Sequence, residues 1–295
     1  MRTRFTLPAI IAAAALLLTG CVDNSTTPPT SGDKPAVGID AAAVALLPAD
    51  IKASGKLVIG IDPTYAPNEY KDDAGNPIGW DVDLGNAMAA KLGLKPDYQI
   101  SSFDKIIPSI KGGTYDIGLS SFTDNEEREL SVDFVNYYAA GIQWAQQIGK
   151  TVDQANACGL TVAVQATTYE ETDELPAKSK ECTDAGKAAI NILKFEKQDE
   201  ASNALALGRA DAMTADSPIT QYAVSQLKDK IELAGDAFDV APYGIAVKKD
   251  SQLVKAIQAA LQSMLDDGSY KTILDKWGVY SGAVDKITIN AATAK

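Results

Sequence analysis

The sequence predicts an α/β fold made of two similar lobes, and two observations carry that prediction. Short β-branched runs alternate with stretches of helical spacing through most of the chain. Two segments also echo each other. Gly112-Gly113-Thr114-Tyr115-Asp116-Ile117 and Gly208-Arg209-Ala210-Asp211-Ala212-Met213 each place a helix end, a turn and an aspartate at a strand start. Each then runs into a polar cluster, Ser120-Ser121-Phe122-Thr123 or Thr214-Ala215-Asp216-Ser217. In open α/β sheets ligands settle at the carboxyl ends of strands, where both clusters lie.

The elements follow in order. Lys56–Ile61 (KLVIGI) is the first strand, and residues 81–92 form a helix with Leu84, Ala87, Met88 and Leu92 at helical spacing. Residues 96–100 are the next strand. Residues 104–111 form a helix with Ile106, Ile107 and Ile110 on one face, closed by Gly112-Gly113. Residues 115–120 read as a buried strand. The second half repeats the pattern over 160–164, 189–195, 199–207, 210–214 and 217–227. Leu253, Ile257, Leu261 and Leu265 mark one late helix; Tyr270, Leu274 and Trp277 mark another. Strands separated by helical stretches imply parallel sheets covered on both faces.

The N-terminus carries a different signal. Arg2 and Arg4 precede an apolar run over residues 7–18, interrupted only by Pro8, and Leu18-Thr19-Gly20-Cys21 follows. That order is a secretory signal, too short for a mature membrane span, which needs ~20 apolar residues. Its end resembles the lipobox of bacterial lipoproteins, whose cysteine is acylated and becomes the new N-terminus. An ordinary cleaved signal with an incidental Cys21 is the alternative. On the lipobox reading, residues 1–20 are a signal peptide and Cys21 anchors the protein to a membrane outside the cytoplasm. Residues 21–40, rich in Ser, Thr, Pro and Gly, are a disordered tether. The folded body is then about 245 residues, enough for one large domain or two lobes.

Composition excludes several function classes. The net charge of −12 becomes −14 once residues 1–20, with two arginines and no acid, are removed. Such a body repels phosphate backbones, so nucleic acid is not an expected partner. The chain has 0 histidines, which removes Ser-His-Asp and Cys-His mechanisms and His-ligated zinc. No metal or other cofactor is expected. With Cys21 lipidated, Cys158 and Cys182 pair naturally as a disulfide in an oxidising compartment. Two buried free thiols are the alternative.

A series of motifs stands in order from Asp62-Pro63-Thr64-Tyr65-Ala66-Pro67 and Gly79-Trp80-Asp81-Val82-Asp83-Leu84 onward. Ile107-Pro108-Ser109-Ile110, Tyr115-Asp116-Ile117-Gly118 and residues 123–128 follow. The second half adds Val162-Ala163-Val164-Gln165-Ala166-Thr167-Thr168, Gly208-Arg209-Ala210-Asp211-Ala212, Tyr243-Gly244-Ile245-Ala246-Val247 and Gly268-Ser269-Tyr270. In this order, over residues 57–278, the chain resembles the family-3 extracellular solute-binding proteins that deliver amino acids to ABC importers. The resemblance implies a type II periplasmic-binding-protein-like fold, two lobes joined by two crossing strands and closing like a hinge. Lobe one takes residues 45–139 and 243–280, lobe two takes 140–242, and 281–295 is a C-terminal tail. The crossovers fall near residues 138–142 and 238–242.

The resemblance also implies a binding site for an amino-acid zwitterion. Arg128 stands where the family places its carboxylate anchor, with Thr123 and Thr168 offering hydroxyls and amides from the two lobes. Taken alone, Arg128 reads more readily as a solvated surface cation. Asp216 matches the family's ammonium acceptor, helped by Ser121, although an aspartate before Ser217-Pro218 also suits a helix cap. Tyr65 and Phe103 supply flat faces for the ligand side chain. Asp62 is placed to meet a side-chain donor, which leans toward a basic or amide ligand, unless it caps the turn before Pro63. Asn68 departs from the family, where an aromatic usually follows this proline, and that bears on the pocket's outer wall. Ala166 replaces the glycine usual before the Thr-Thr pair. The expected partners are a free amino acid, an importer permease and the membrane, with the protein itself a monomer. Two other classes stay open: a dehydratase of prephenate-like acids on the same scaffold, using Glu69 or Asp62 as acid or base, and a sensory surface protein.

Overall fold

The computed structural model describes residues 37–292. The signal, Cys21 and all but the last residues of the tether lie outside the described residues. The body opens with α1 (Ala41–Ala45), α2 (Ala49–Ser54) and β1 (Lys56–Ile61). A ribbon of short strands, β2 (Thr64–Tyr65), β3 (Glu69–Lys71) and β4 (Pro77–Ile78), leads into α3 (Trp80–Lys91). Then come β5 (Lys95–Ile100), α4 (Phe103–Lys111), β6 (Ile117–Thr123), the single turn α5 (Glu126–Glu129) and the long β7 (Val132–Gln147). The second half holds β8 (Thr161–Gln165), a π-helical turn (Glu170–Glu174), α6 (Leu175–Asp184), β9 (Asn191–Phe195), α7 (Gln198–Ala206), β10 (Ala212–Asp216) and α8 (Ser217–Gln226). A second long strand, β11 (Ile231–Lys248), returns to the first half, which α9 (Leu253–Asp266), α10 (Ser269–Trp277) and β12 (Thr288–Ile289) complete.

The strands join in the order β5-β1-β6-β11-β7-β10-β8-β9, with β12 beside β7. Each half has a parallel core: β1 with β5 and β6, and β8 with β9 and β10. The wholly parallel sheets expected from the alternation need correction. β11 pairs antiparallel with β6 and β7, and β10 pairs antiparallel with β7. The physical reason is that β7 and β11 each traverse both halves, one outward and one back. Their pairing loses register between Ala234 and Ala241, opposite the stretch from Ala140 to Trp144. That is where the crossovers were expected.

Local packing follows from the sequence. Every residue of β6 is buried: Ile117, Gly118 and Leu119 sit in the core and the polar end from Ser120 to Thr123 is enclosed at the site. On α9, Leu253, Ile257, Ala260, Leu261 and Met264 form one buried face against the first-half core. Gly85 of α3 lets the helix lie close to the sheet, because a Cβ there would sit 2.7 Å from the Tyr98 hydroxyl. The second half buries one cluster around Trp144, Val162 and Leu175 and another around Ala201, Leu205 and Met213. Cys158 and Cys182 are joined as a disulfide, Cα atoms 5.5 Å apart across a separation of 24 residues.

Both ends of the body differ from expectation. The Asp40 carboxylate caps α1, its amide donates to the Lys91 carbonyl at 2.8 Å, and Val37 packs on the core. Packing is therefore already in place at 37, ahead of the tether limit at 40 and the lobe boundary at 45, because small alanines let α1 sit against α9. Residues 281–292 do not form the expected tail. Ile287 is fully buried and β12 pairs with Val135 and Asn136.

Candidate functional site

A narrow cavity lies where the polar ends of β1, β6, β8 and β10 meet. All eight residues expected to touch a ligand line it: Asp62, Tyr65, Phe103, Ser121, Thr123, Arg128, Thr168 and Asp216. Several hydrogen bonds cross from the first half to the second, among them one from the Asp216 amide to the Tyr65 hydroxyl at 3.3 Å. The Tyr65 hydroxyl donates to Asp216 Oδ2 at 2.7 Å, Gln165 Nε2 donates to Asp62 Oδ2 at 2.8 Å, and Arg128 donates to the Thr167 carbonyl at 2.9 Å. Tyr65 also packs on Ala215 and Ile219. The cleft is closed.

Arg128 is no solvated surface cation. It is half-buried, donates to the Thr123 carbonyl at 2.7 Å, and lies 5.7 Å from the Phe103 ring centroid and 5.8 Å from that of Phe122. Burial pulls its pKa down, while Glu170, Asp173 and Asp216 favour its charge. Asp216 occupies the cap position of α8, yet its side chain makes no cap hydrogen bond and serves Tyr65 instead. Asp62 accepts from the Thr64 hydroxyl at 3.1 Å as well as from Gln165. Phe103 stacks one face on Phe122, centroids 4.5 Å apart, which fixes its ring at the cavity wall. The Thr168 hydroxyl donates to the Gln165 carbonyl at 2.9 Å.

Behind this lining sits a buried polar layer. Ser120 Oγ receives the Asp62 amide at 3.1 Å and donates to Glu69 Oε1 at 3.0 Å. Ser121 holds φ at 51°, a left-handed conformation a serine rarely adopts. Its amide donates to Asp81 Oδ2 at 3.2 Å, and its hydroxyl receives Asn68 Nδ2 at 2.8 Å. Asn68 also accepts from Trp80 Nε1 at 2.6 Å and is fully buried. The departure at this position therefore props Ser121 from behind and forms no part of the outer wall. Gly79 makes the fold of this layer possible: its φ is 132°, and a Cβ would lie 2.0 Å from the Asn68 carbonyl oxygen. In the second half the left-handed residue of the Thr-Thr turn is Thr167, at φ 64°, so Ala166 is accommodated.

The cavity is acidic. Four carboxyl groups line it, from Asp62, Glu69, Glu170 and Asp216, against the single guanidinium of Arg128. Burial pushes Asp62 up to about 6 and Asp216 up to about 6; the Tyr65 hydroxyl and the Arg128 charge restrain the latter. Burial and the Asp81 charge drive Glu69 well above the usual carboxylate range. Burial and the Asp216 charge do the same to Glu170, whose Oε1 has no hydrogen-bond partner. Two charge neighbourhoods result. One holds Arg128, Asp216, Glu170 and Tyr65; the other holds Asp62, Glu69 and Asp81. A ligand carrying one anionic and two cationic groups complements both. Among the described residues no group of His, Cys, Asp or Glu is placed to hold a metal ion, and no helix is long and apolar enough to cross a membrane.

Sequence reasoning missed Gln165, Tyr169 and Glu170, and named Glu69 only as a general acid or base for an enzyme. Glu170 lies two residues beyond Thr168 in a run of acids that reads as surface.

Comparison with known proteins agrees with this geometry. The model of the bacterial extracellular solute-binding proteins, family 3, matches residues 57–280. An arginine-binding protein, ArgT, of Corynebacterium glutamicum is 41% identical over 283 residues, covering 95% of this chain and 93% of its own. An L-arginine-binding protein of Pseudomonas aeruginosa is 31% identical over 234 residues, 74% of this chain and 86% of its own. Among solved structures, an ancestral arginine-binding protein bound to arginine superposes with a TM-score of 0.70 at 34% identity, covering 76% of this chain and 98% of that one. The chain belongs to the family-3 bacterial extracellular solute-binding proteins.

Proposed function

We propose that the protein captures a basic amino acid, arginine foremost, outside the cytoplasm and delivers it to an ABC importer without chemical change. The observation that carries this reading is the ordering of charge in the closed cavity. Arg128 and Asp216 share one neighbourhood, which suits an α-carboxylate and an α-ammonium. Asp62 and Glu69 share the other, which suits a side-chain guanidinium. Tyr65 and Phe103 line the same cavity and offer ring faces to the ligand. The two relatives named above are arginine binders, which supports the same ligand. Donors and acceptors from both halves meet one ligand, so binding favours the closed state by differential affinity. Cys21, acylated, holds the protein at the membrane, and the importer reads closure as the presence of cargo.

Titration calorimetry against the twenty amino acids tests the reading. L-Arginine binds with a Kd near or below ~1 μM, about 8 kcal/mol, and acidic amino acids do not bind. Prephenate-type acids incubated with the protein stay unchanged. Tight binding of an acidic amino acid, with arginine inert, sinks the assignment.

A further inference from the structure

The last described residues lie beyond the stretch that matches the family, which ends at residue 280, and they finish on the element that carries Arg128. That element, α5, is one turn of four residues, Glu-Glu-Arg-Glu, with no buried residue of its own. A lone turn does not persist in water, because nucleation fixes several dihedrals for a single hydrogen bond. Asn125 caps it, accepting from the Arg128 amide at 2.8 Å. Arg128 itself bonds the Thr123 and Thr167 carbonyls, and the C-terminus adds ties at both ends of the turn.

Ile287 anchors the segment in the first-half core, and its carbonyl accepts from Gln258 Nε2 at 3.0 Å. Asn290 then fastens it to β7: Oδ1 accepts from the Phe134 amide at 2.7 Å and Nδ2 donates to Asp133 at 2.9 Å. Asn290 adopts φ 49°, which asparagine tolerates better than most residues and which turns the chain toward α5. The next two amides grip the turn at both ends. Ala291 donates to Asp124 Oδ2 at 2.8 Å, just ahead of the cap, and Ala292 donates to Glu129 Oε1 at 3.2 Å, on the last residue of the turn. Asp124 is almost fully buried and also receives Asn136 Nδ2 at 2.8 Å, so it is a fixed post for the grip.

We propose that the C-terminal strap, residues 287–292, is a positioning element for ligand recognition: it holds α5 so that Arg128 meets the ligand carboxylate already aimed. This rests on the reading of Arg128 as carboxylate anchor given under Proposed function. Ordering a charged side chain before the ligand arrives removes that ordering cost from binding. The strap touches no ligand and acts only through the turn.

Two variants test it, Asn290→Ala and deletion of residues 290–295, which leaves Ile287 in place. Calorimetry uses L-arginine and L-argininamide, which lacks the carboxylate charge. The expected result is a Kd for arginine raised about five- to tenfold, roughly 1–1.4 kcal/mol, with that for argininamide within about twofold of wild type. Equal weakening of both ligands marks general loosening and overturns the proposal, as does unchanged arginine affinity. Hydrogen exchange over residues 124–129 in the ligand-free protein separates this from the ligand assignment. Faster exchange in the deletion variant supports the strap even if wild type ignores arginine, which sinks the arginine reading alone; unchanged exchange overturns the strap even if arginine binds tightly.

Discussion

Asp62→Asn sets stability against binding, and the structure gives the sign of both. Asp62 is 4% exposed and burial raises its pKa from 3.8 to about 6. That rise corresponds to roughly 3 kcal/mol of folding stability at about 1.4 kcal/mol per unit. The folded state prefers the protonated carboxyl, so this stability is present below pH ~4 and lost as pH rises through about 6. The amide keeps both side-chain contacts: its oxygen accepts from Gln165 Nε2, and its NH2 donates to the Thr64 hydroxyl. The ligand-free variant therefore gains about 2–3 kcal/mol at pH 8, a melting shift of roughly 5–10 °C for a chain of this size. At pH 4 the gain shrinks below ~1 kcal/mol. Arginine affinity moves the other way, weakening about 30-fold or more as a charged hydrogen bond worth ~2 kcal/mol is lost. Melting curves at pH 4 and pH 8, with calorimetry at pH 8, check each part. A gain of equal size at both pH values, or a loss at pH 8, refutes the account of Asp62 as a buried and strained charge.

Three other perturbations give separable outcomes. Arg128→Ala removes the guanidinium that bonds Thr123 and Thr167; calorimetry should show arginine affinity falling about 100-fold, within the ~2–5 kcal/mol that truncating such a charged partner costs, and retention within tenfold contradicts the anchor role. Tyr65→Phe deletes the cross-cleft bond to Asp216 and raises the arginine Kd about five- to tenfold, near the ~1 kcal/mol of a net hydrogen bond; an unchanged Kd means that bond does not favour closure. Replacing Cys158 and Cys182 with serine opens a loop of 24 residues and lowers stability by about 3 kcal/mol. Neither cysteine lines the cavity, so the arginine Kd stays within about twofold, and a larger change shows coupling the geometry does not contain.

Periodicity made most of the frame legible. β1 spans the KLVIGI run, and α3, α4, α9 and α10 sit within a residue or two of the apolar spacings that announced them. Strand direction was not legible, because alternation marks a strand but carries no record of its partner; β7 and β11 are long for reasons set by the join between halves. The β2–β4 ribbon has strands of two or three residues, too short for any period. The π-helical turn went unread for a different reason. A run of acids usually lies in solvent, yet Glu170, Glu171 and Glu174 are all buried, with Trp144 and Thr214 donating to Glu174 and the Thr167 amide donating to Glu171. At the site, Arg128 and Asp216 were recognisable from motif order. Gln165 and Glu170 were not, since their part depends on which groups face them once the halves meet.

The four acids lining the cleft have a consequence for transport economy in the proposed role. Closing without cargo confines Asp62, Glu69, Glu170 and Asp216 together with one cation, so the shut, vacant form either binds extra protons or endures unrelieved repulsion. A dicationic ligand supplies the missing positive charge and removes that penalty. An importer that responds to the shut form then meets few false reports, and its nucleotide hydrolysis stays tied to real deliveries. Neutralising these acids one by one trades that discrimination for a protein that shuts more readily on nothing.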